Sequence, residues 1–185
     1  MKKSHKLILP AALALLVLCL AELLFDPYNA VRIAFENKGI RAELSEAVER
    51  WEAAGIEDYS LTLTESIPLR GLELIKVLVR DGEISEVMRA WYPQYDVPID
   101  EWFLAPVAPG LWYLYSDLTV PGLFGMVAEQ LAGGNWLDVT FDQESGYVTS
   151  LSYNCNGPHG YARTWIADCG GTWTVRSLVL GSDRP

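Results

Sequence analysis

The sequence predicts an α+β domain in which helices pack on one face of an antiparallel β-sheet, preceded by an N-terminal transmembrane or signal helix. Three observations carry that expectation. Apolar residues fall at helical spacing in two separate stretches, and they alternate with polar residues in several others. The elements follow one another as helix, three strands, helix, three or four strands, the order of an α+β plan. The chain also opens on lysines followed by an apolar run.

Lys2, Lys3 and Lys6 precede the apolar run Leu7 to Ala21, and Glu22 interrupts it before Leu23, Leu24 and Phe25. Basic residues ahead of such a segment read as an export signal or signal anchor. Ala12 to Ala14 lies too early for a cleavage site, and Leu18 occupies the place where a lipoprotein signal ending at Cys19 would want a small residue. The organisation expected is therefore a signal anchor or signal peptide at 1–25 and a juxtamembrane segment at 26–41. A single domain at 42–182 follows, with an aromatic-rich insertion at 91–115.

Leu44, Val48 and Trp51 share one helical face, glutamates fill the others, and Gly55 stops the helix. Tyr59, Leu61 and Leu63 alternate with Ser60, Thr62 and Thr64 as in a half-buried strand. Leu72 to Arg80 is the next strand, Asp81-Gly82 a tight hairpin turn, and Glu83 to Ala90 the returning strand. Thr119 is placed to cap a helix over Val120 to Ala132, with Pro121 in its first turn and Gly133-Gly134 at its end. Trp136 to Asp142 and Tyr147 to Tyr153 read as paired strands. Arg163 to Ala167 is a short extended candidate, and Thr172 to Leu180 is the last strand.

The chain holds 14 Lys and Arg against 24 Asp and Glu, a net charge of −10. Beyond residue 24 the balance is 11 basic against 23 acidic groups, or −12. A protein that tracks a phosphate backbone needs the opposite sign, so nucleic acid is excluded as a partner. Two histidines and three cysteines leave little for a metal or thiol centre, and no cofactor or metal site is expected.

Within 42–153 the residues Trp51, Gly55-Ile56 with Tyr59, Val77 and Val79 with Asp81-Gly82 and Ile84, Leu123-Phe124, Val139 with Phe141-Asp142, and Gly146-Tyr147-Val148-Thr149-Ser150 form a recognisable series. In these the chain resembles DUF6174, a family of small exported or lipoprotein-like domains of unknown function, over roughly residues 44 to 153. The resemblance implies a helix-on-sheet shape and assigns no activity and no catalytic residue. The chain departs from the family's pattern at Val148, where a proline is common. It also departs at Ser66 to Pro68, where cysteines are frequent, and in the length of the aromatic segment.

Cys155 and Cys169 are the two cysteines outside the apolar run, and in an exported chain they read as a disulfide closing a glycine-rich loop. His159 with Asp168 and Ser150 or Ser152 supplies the residue types of a hydrolytic triad without a spacing that favours one. Asp142, Glu144 and Gly146 resemble half of a calcium loop and lack its terminal bidentate glutamate. Asp96, Asp100 and Glu101 beside Tyr92 and Trp102 are carboxylates near rings, as in a glycan site. The last three sets read more simply as ordinary loop and turn residues.

The segment 91–115 stands out. It holds Trp91, Tyr92, Tyr95, Trp102, Phe103, Trp112, Tyr113 and Tyr115 together with Pro93, Pro98, Pro106 and Pro109, with neither helix nor strand periodicity. These rings either cover the sheet or form a contact surface, since aromatics give large contact area at low side-chain entropy. The function expected is a membrane-anchored, extracytoplasmic accessory or binding domain on the cell membrane. It would dock through these eight residues onto an envelope or membrane protein and would have no catalysis of its own. A secreted inhibitor or ligand-binding module is the alternative, and a cell-envelope hydrolase using Asp100, Glu101 or His159 is the third reading.

Overall fold

Alternation of apolar and hydroxyl side chains in Tyr59–Thr64 sets the centre of the fold, because one face of that strand must be buried and the other need not be. The computed structural model describes residues 33–67, 71–91, 98–99, 102–154 and 170–181. Helix α1 occupies 33–54, followed by β1 (Tyr59–Ile67), β2 (Gly71–Arg80), β3 (Glu83–Trp91) and the two-residue β4 (Ala105–Pro106). A 3₁₀ helix at Pro109–Leu118 leads into α2 (Val120–Ala132), and β5 (Trp136–Phe141), β6 (Val148–Asn154) and β7 (Gly171–Leu180) are the last elements among the described residues. The strands form one sheet in the order β4-β3-β2-β1-β7-β6-β5, with every neighbouring pair antiparallel.

Tyr59, Leu61 and Leu63 lie opposite Val79, Val77 and Ile75, so the apolar faces of β1 and β2 coincide. Leu137, Val139 and Phe141 of β5 meet Tyr153, Leu151 and Val148 of β6 on the same side. Ala47 and Trp51 of α1 and Val120, Leu123, Phe124, Val127 and Leu131 of α2 close over this face and bury it. Each fully buried Leu, Ile or Val contributes about 1.5–3 kcal/mol through removal from water. The opposite face carries rows of hydroxyls: Thr64, Thr174, Ser150 and Thr140 lie side by side on β1, β7, β6 and β5.

Several local contacts fix the helices. Trp51 packs edge-on against Tyr59, with ring centroids 5.4 Å apart. The Tyr59 hydroxyl accepts the Val120 N–H at 3.1 Å, satisfying an otherwise orphaned donor at the start of α2, while Thr119 Oγ1 accepts from Gly122. Arg41 donates to the Leu131 carbonyl near the C-terminus of α2, where a cation is favoured. Buried Asn37 donates to the Asn135 carbonyl at 3.0 Å. In the turn between β2 and β3, Asp81 and Gly82 both have positive φ, 51° and 76°, as a tight two-residue hairpin requires.

Five expectations are corrected. Residues 1–25, expected as a transmembrane or signal helix, lie outside the described residues, and among the described residues no helix is long and apolar enough to cross a membrane. The one long helix, α1, bears Glu36, Lys38, Arg41, Glu43, Glu46, Glu49, Arg50 and Glu52, a charge density that hydrocarbon does not accept. Among the described residues the architecture is an α+β domain in which no helix is long and apolar enough to cross a membrane. The membrane-anchored function, the membrane partner reached through that helix and the single-pass cell-membrane localisation fall with it. The disulfide is corrected likewise: Cys155 and Cys169 lie outside the described residues, among which no disulfide occurs. The ends of the loop between them are already held, by pairing of β6 with β7 and by Tyr153 stacked on Trp173 at 5.5 Å.

Two smaller differences concern extent. The helix expected around Leu44–Trp51 begins by residue 33, so the boundary drawn at 41/42 falls within it. Arg163 to Ala167, expected as a short extended piece, lies outside the described residues.

Candidate functional site

Beyond β3 the chain returns to the sheet at residues 98–99 and 102–106, and alternation along this extended stretch sorts the side chains. Trp102 turns inward and packs with Leu74 and Ala90 on the face of the sheet away from the helices, with Leu72, Ile99 and Leu104 around it. Phe103, one residue on, points out and is 81% exposed. Ala105 and Pro106 then pair with Arg89 and Met88, making β4 the edge of the sheet.

The 3₁₀ helix sorts its rings by a different period. With three residues per turn, side chains at i, i+3 and i+6 lie above one another. Trp112, Tyr115 and Leu118 form the inward row: Tyr115 and Leu118 are buried, and half-buried Trp112 packs against the main core. Trp112 Nε1 donates to the Val107 carbonyl at 3.0 Å, and Arg89 Nη1 donates to the Tyr115 hydroxyl at 3.1 Å. Leu111 and Leu114 form an outward row, 47% and 61% exposed, and Tyr113 is 70% exposed. After Ala105 and Pro106 pair with β3 the chain coils over Pro109–Leu118, because Pro109 suits the first helical turn.

Between these surfaces lies a groove of about 420 Å³ lined by Arg89, Ala90, Phe103, Ala105, Pro106, Val107, Ala108 and Leu111. Arg89 is its one ionisable lining residue among the described residues. Its guanidinium offers the groove hydrogen-bond donors and no acceptor.

Of the eight aromatics expected as a contact surface, Phe103 and Tyr113 are thus exposed, Trp102 and Tyr115 are buried, and Trp112 lies between. Trp91 ends β3, and Tyr92 and Tyr95 lie outside the described residues. So do Asp96, Asp100, Glu101, His159, Asp168 and both cysteines of the expected pair. Leu111 and Leu114 were missed by the sequence reading. The signal that finds them is the three-residue spacing of Trp112, Tyr115 and Leu118, which assigns the intervening positions to the outside.

The other candidate clusters serve the fold. Asp142 Oδ1 accepts the Glu144 N–H at 3.1 Å and the Ser145 N–H and hydroxyl at 2.7 Å each, so it closes its own turn. The Ser145 backbone and hydroxyl donors hold this carboxyl below the usual carboxylate range. No group of three or more His, Cys, Asp or Glu that could hold a metal occurs among the described residues. Ser150 and Ser152 lie on the hydroxyl face, and Ser152 hydrogen-bonds with Thr172 at 3.1 Å. A second hollow, of about 350 Å³, collects Glu57, Asp58 and Asp81, where Asp58 Oδ1 accepts the Asp81 N–H and so braces the hairpin. Burial pushes the Tyr59 phenol upward, opposed in part by the Val120 N–H.

The series of residues behind the family resemblance is structural throughout. Trp51 and Tyr59 lock α1 and α2 to β1, Asp81-Gly82 turns a hairpin, Leu123 and Phe124 fill the core, and Gly146 admits α1 against the β5–β6 turn. The exposed apolar ridge lies apart from all of them. No curated protein matches the chain. A family model does, over residues 43–156, and it bears on the domain alone, carrying neither export nor lipid attachment. Since the match spans most of the chain, from the middle of α1 to just past β6, the protein belongs to DUF6174, a family of unknown function.

Proposed function

We propose that the domain is a ligand-binding module that takes an apolar segment of a protein partner, in trans, on the groove beside β4. The observation that carries this reading is the exposure of Phe103, Leu111, Tyr113 and Leu114 within twelve residues of sequence, with Phe103 and Leu111 lining that groove. Among the described residues, these are four of the seven large hydrophobics left exposed. Scattered singly they would need no explanation; clustered beside a concave apolar lining they mark a contact surface. The ridge is also braced, by Trp102 in the small cluster on one face of the sheet and by Trp112 and Tyr115 against the main core on the other, so little ordering is left to the moment of binding. With −10 on the chain, the partner segment is apolar with basic flanks, which the acidic surface would steer in.

Panning a displayed library of random peptides against the full chain tests this. The reading expects selected peptides to be apolar with Lys or Arg neighbours. Their affinity should fall at least about tenfold for the double variant Phe103→Ser, Leu111→Ser, both of which line the groove. Val179→Ser, at an exposed apolar position on β7, should leave it unchanged. Failure to select any peptide, or equal affinity for the double variant, overturns the assignment.

A further inference from the structure

We infer that β5 is a self-association edge through which two copies of this chain join antiparallel, fusing their sheets about a two-fold axis at Val139. The two edges of the sheet are built differently. β4 is two residues long, and its Pro106 has no N–H to donate, both common ways of blunting an edge. β5 is six residues long, contains no proline, carries Asp138 as its one charge, and among the described residues pairs only with β6. Its irregularity, between Thr140 and Phe141, lies at the end of the strand and leaves Trp136–Thr140 regular. A row of backbone donors and acceptors therefore faces away from β6 along a straight strand.

The side chains select the occupant and the register. A two-fold axis perpendicular to the sheet places residues of the same face opposite one another, so the axis passes through a residue pair. Centred on Asp138, it would set two carboxylates directly opposite, which destabilises. Centred on Val139, it sets Asp138 opposite Thr140 of the partner subunit and Leu137 opposite Phe141 of the partner subunit. Leu137, Val139 and Phe141 all face the core, while Asp138 and Thr140 are exposed on the hydroxyl face. The register is thus self-complementary on both faces, a condition that a second copy meets and an arbitrary strand does not. This association uses the edge opposite the groove beside β4 and does not depend on the function proposed for it.

Sedimentation analysis of the full chain, from nanomolar to high micromolar concentration at physiological ionic strength, tests the inference. A monomer–dimer equilibrium is expected, tighter at higher salt because each copy carries −10. Thr140→Lys places an ammonium opposite Asp138 twice per dimer and should tighten the equilibrium roughly 2- to 30-fold. Thr140→Asp should weaken it by a similar factor, and Asp138→Lys combined with Thr140→Asp should restore it. Both positions are exposed, and an unchanged circular dichroism spectrum of each variant confirms that the fold is intact, whereas melting follows the dimer equilibrium by mass action. A monomer at every concentration overturns the inference. So does dimerisation that both single variants leave alone or move in the same direction, since association would then run through another surface or another register.

Discussion

Replacing Gly146 by alanine separates two costs that usually arrive together. Gly146 sits in the β5–β6 turn at φ +84°, and a Cβ there would meet the Ala47 carbonyl oxygen at 2.2 Å and its carbon at 3.0 Å. Ordinary contact begins near 3.4 Å, so α1 and the turn must move apart by about 1 Å. No flexible side chain is there to give way; the obstacle is helix backbone, and Ala47 and Trp51 on that helix are buried. Left-handed backbone costs about 1–2 kcal/mol for an alanine. Forcing extra volume into a packed contact costs about 1–3 kcal/mol more. The expected loss is about 2–5 kcal/mol, or roughly 4–20 °C in melting temperature for a chain of this size. Gly134 is the control: its φ is +70°, yet nothing lies within 4 Å of its Cβ position, so Gly134→Ala carries only the backbone cost of about 1–2 kcal/mol. Urea unfolding followed by tryptophan fluorescence measures both. Equal losses for the two variants would refute the close approach of α1 to the turn as the reason for the glycine.

The remaining predictions concern other joints of the same structure. Tyr59→Phe strands the buried Val120 N–H and should cost about 1–3 kcal/mol, whereas Thr119→Ala should cost about 1 kcal/mol; chemical denaturation of both resolves the difference. Trp102→Ala should lose about 3–5 kcal/mol as a large buried ring, while Phe103→Ala, its exposed neighbour, should stay within about 0.5 kcal/mol of the parent in the same measurement. The native pKa of Asp142 is depressed, so its stabilising contribution is complete above the carboxylate's ordinary range and drains away as pH falls through the native value. Melting scans below about pH 4 should therefore show a shallower acid loss for Asp142→Asn than for the parent, with the two parallel at neutral pH.

What could be read in advance follows from which periodicities are simple. The period-2 strands from Tyr59 to Arg80 and from Trp136 to Phe141 face as expected, because strand burial there depends on parity alone; in β6 an irregularity puts Val148 and Leu151, of opposite parity, on one face. The helix Val120–Ala132 coincides with the expected span because Thr119, Pro121 and Gly133 mark its ends independently of packing. α1 was legible only as the stripe Leu44, Val48 and Trp51. Its most buried members are Ala47 and Asn37, whose types do not announce a core face, and whose burial is imposed by Gly146 and Asn135 roughly a hundred residues away. The aromatic segment was opaque for a different reason. Its first part alternates over only three residues, Trp102 to Leu104, and its second follows a 3.0-residue period that neither helix nor strand templates test.

Placing the ridge on one edge of the sheet and the open strand on the other has a consequence for the proposed function. Six strand spacings separate β4 from β5, about 28 Å at the usual separation between neighbours. In a dimer joined at β5 the two grooves stand at the far ends of one fused sheet, rigidly oriented by the two-fold axis. Such a module engages two apolar segments at a fixed distance, and a partner presenting them at that spacing is held far more tightly than either segment alone. Thr140→Asp, which leaves each groove untouched, should then lower affinity for a two-segment partner while leaving affinity for the single peptide unchanged. That split tests whether the two edges work together, since a groove acting alone would register no difference between dimer and monomer toward either ligand.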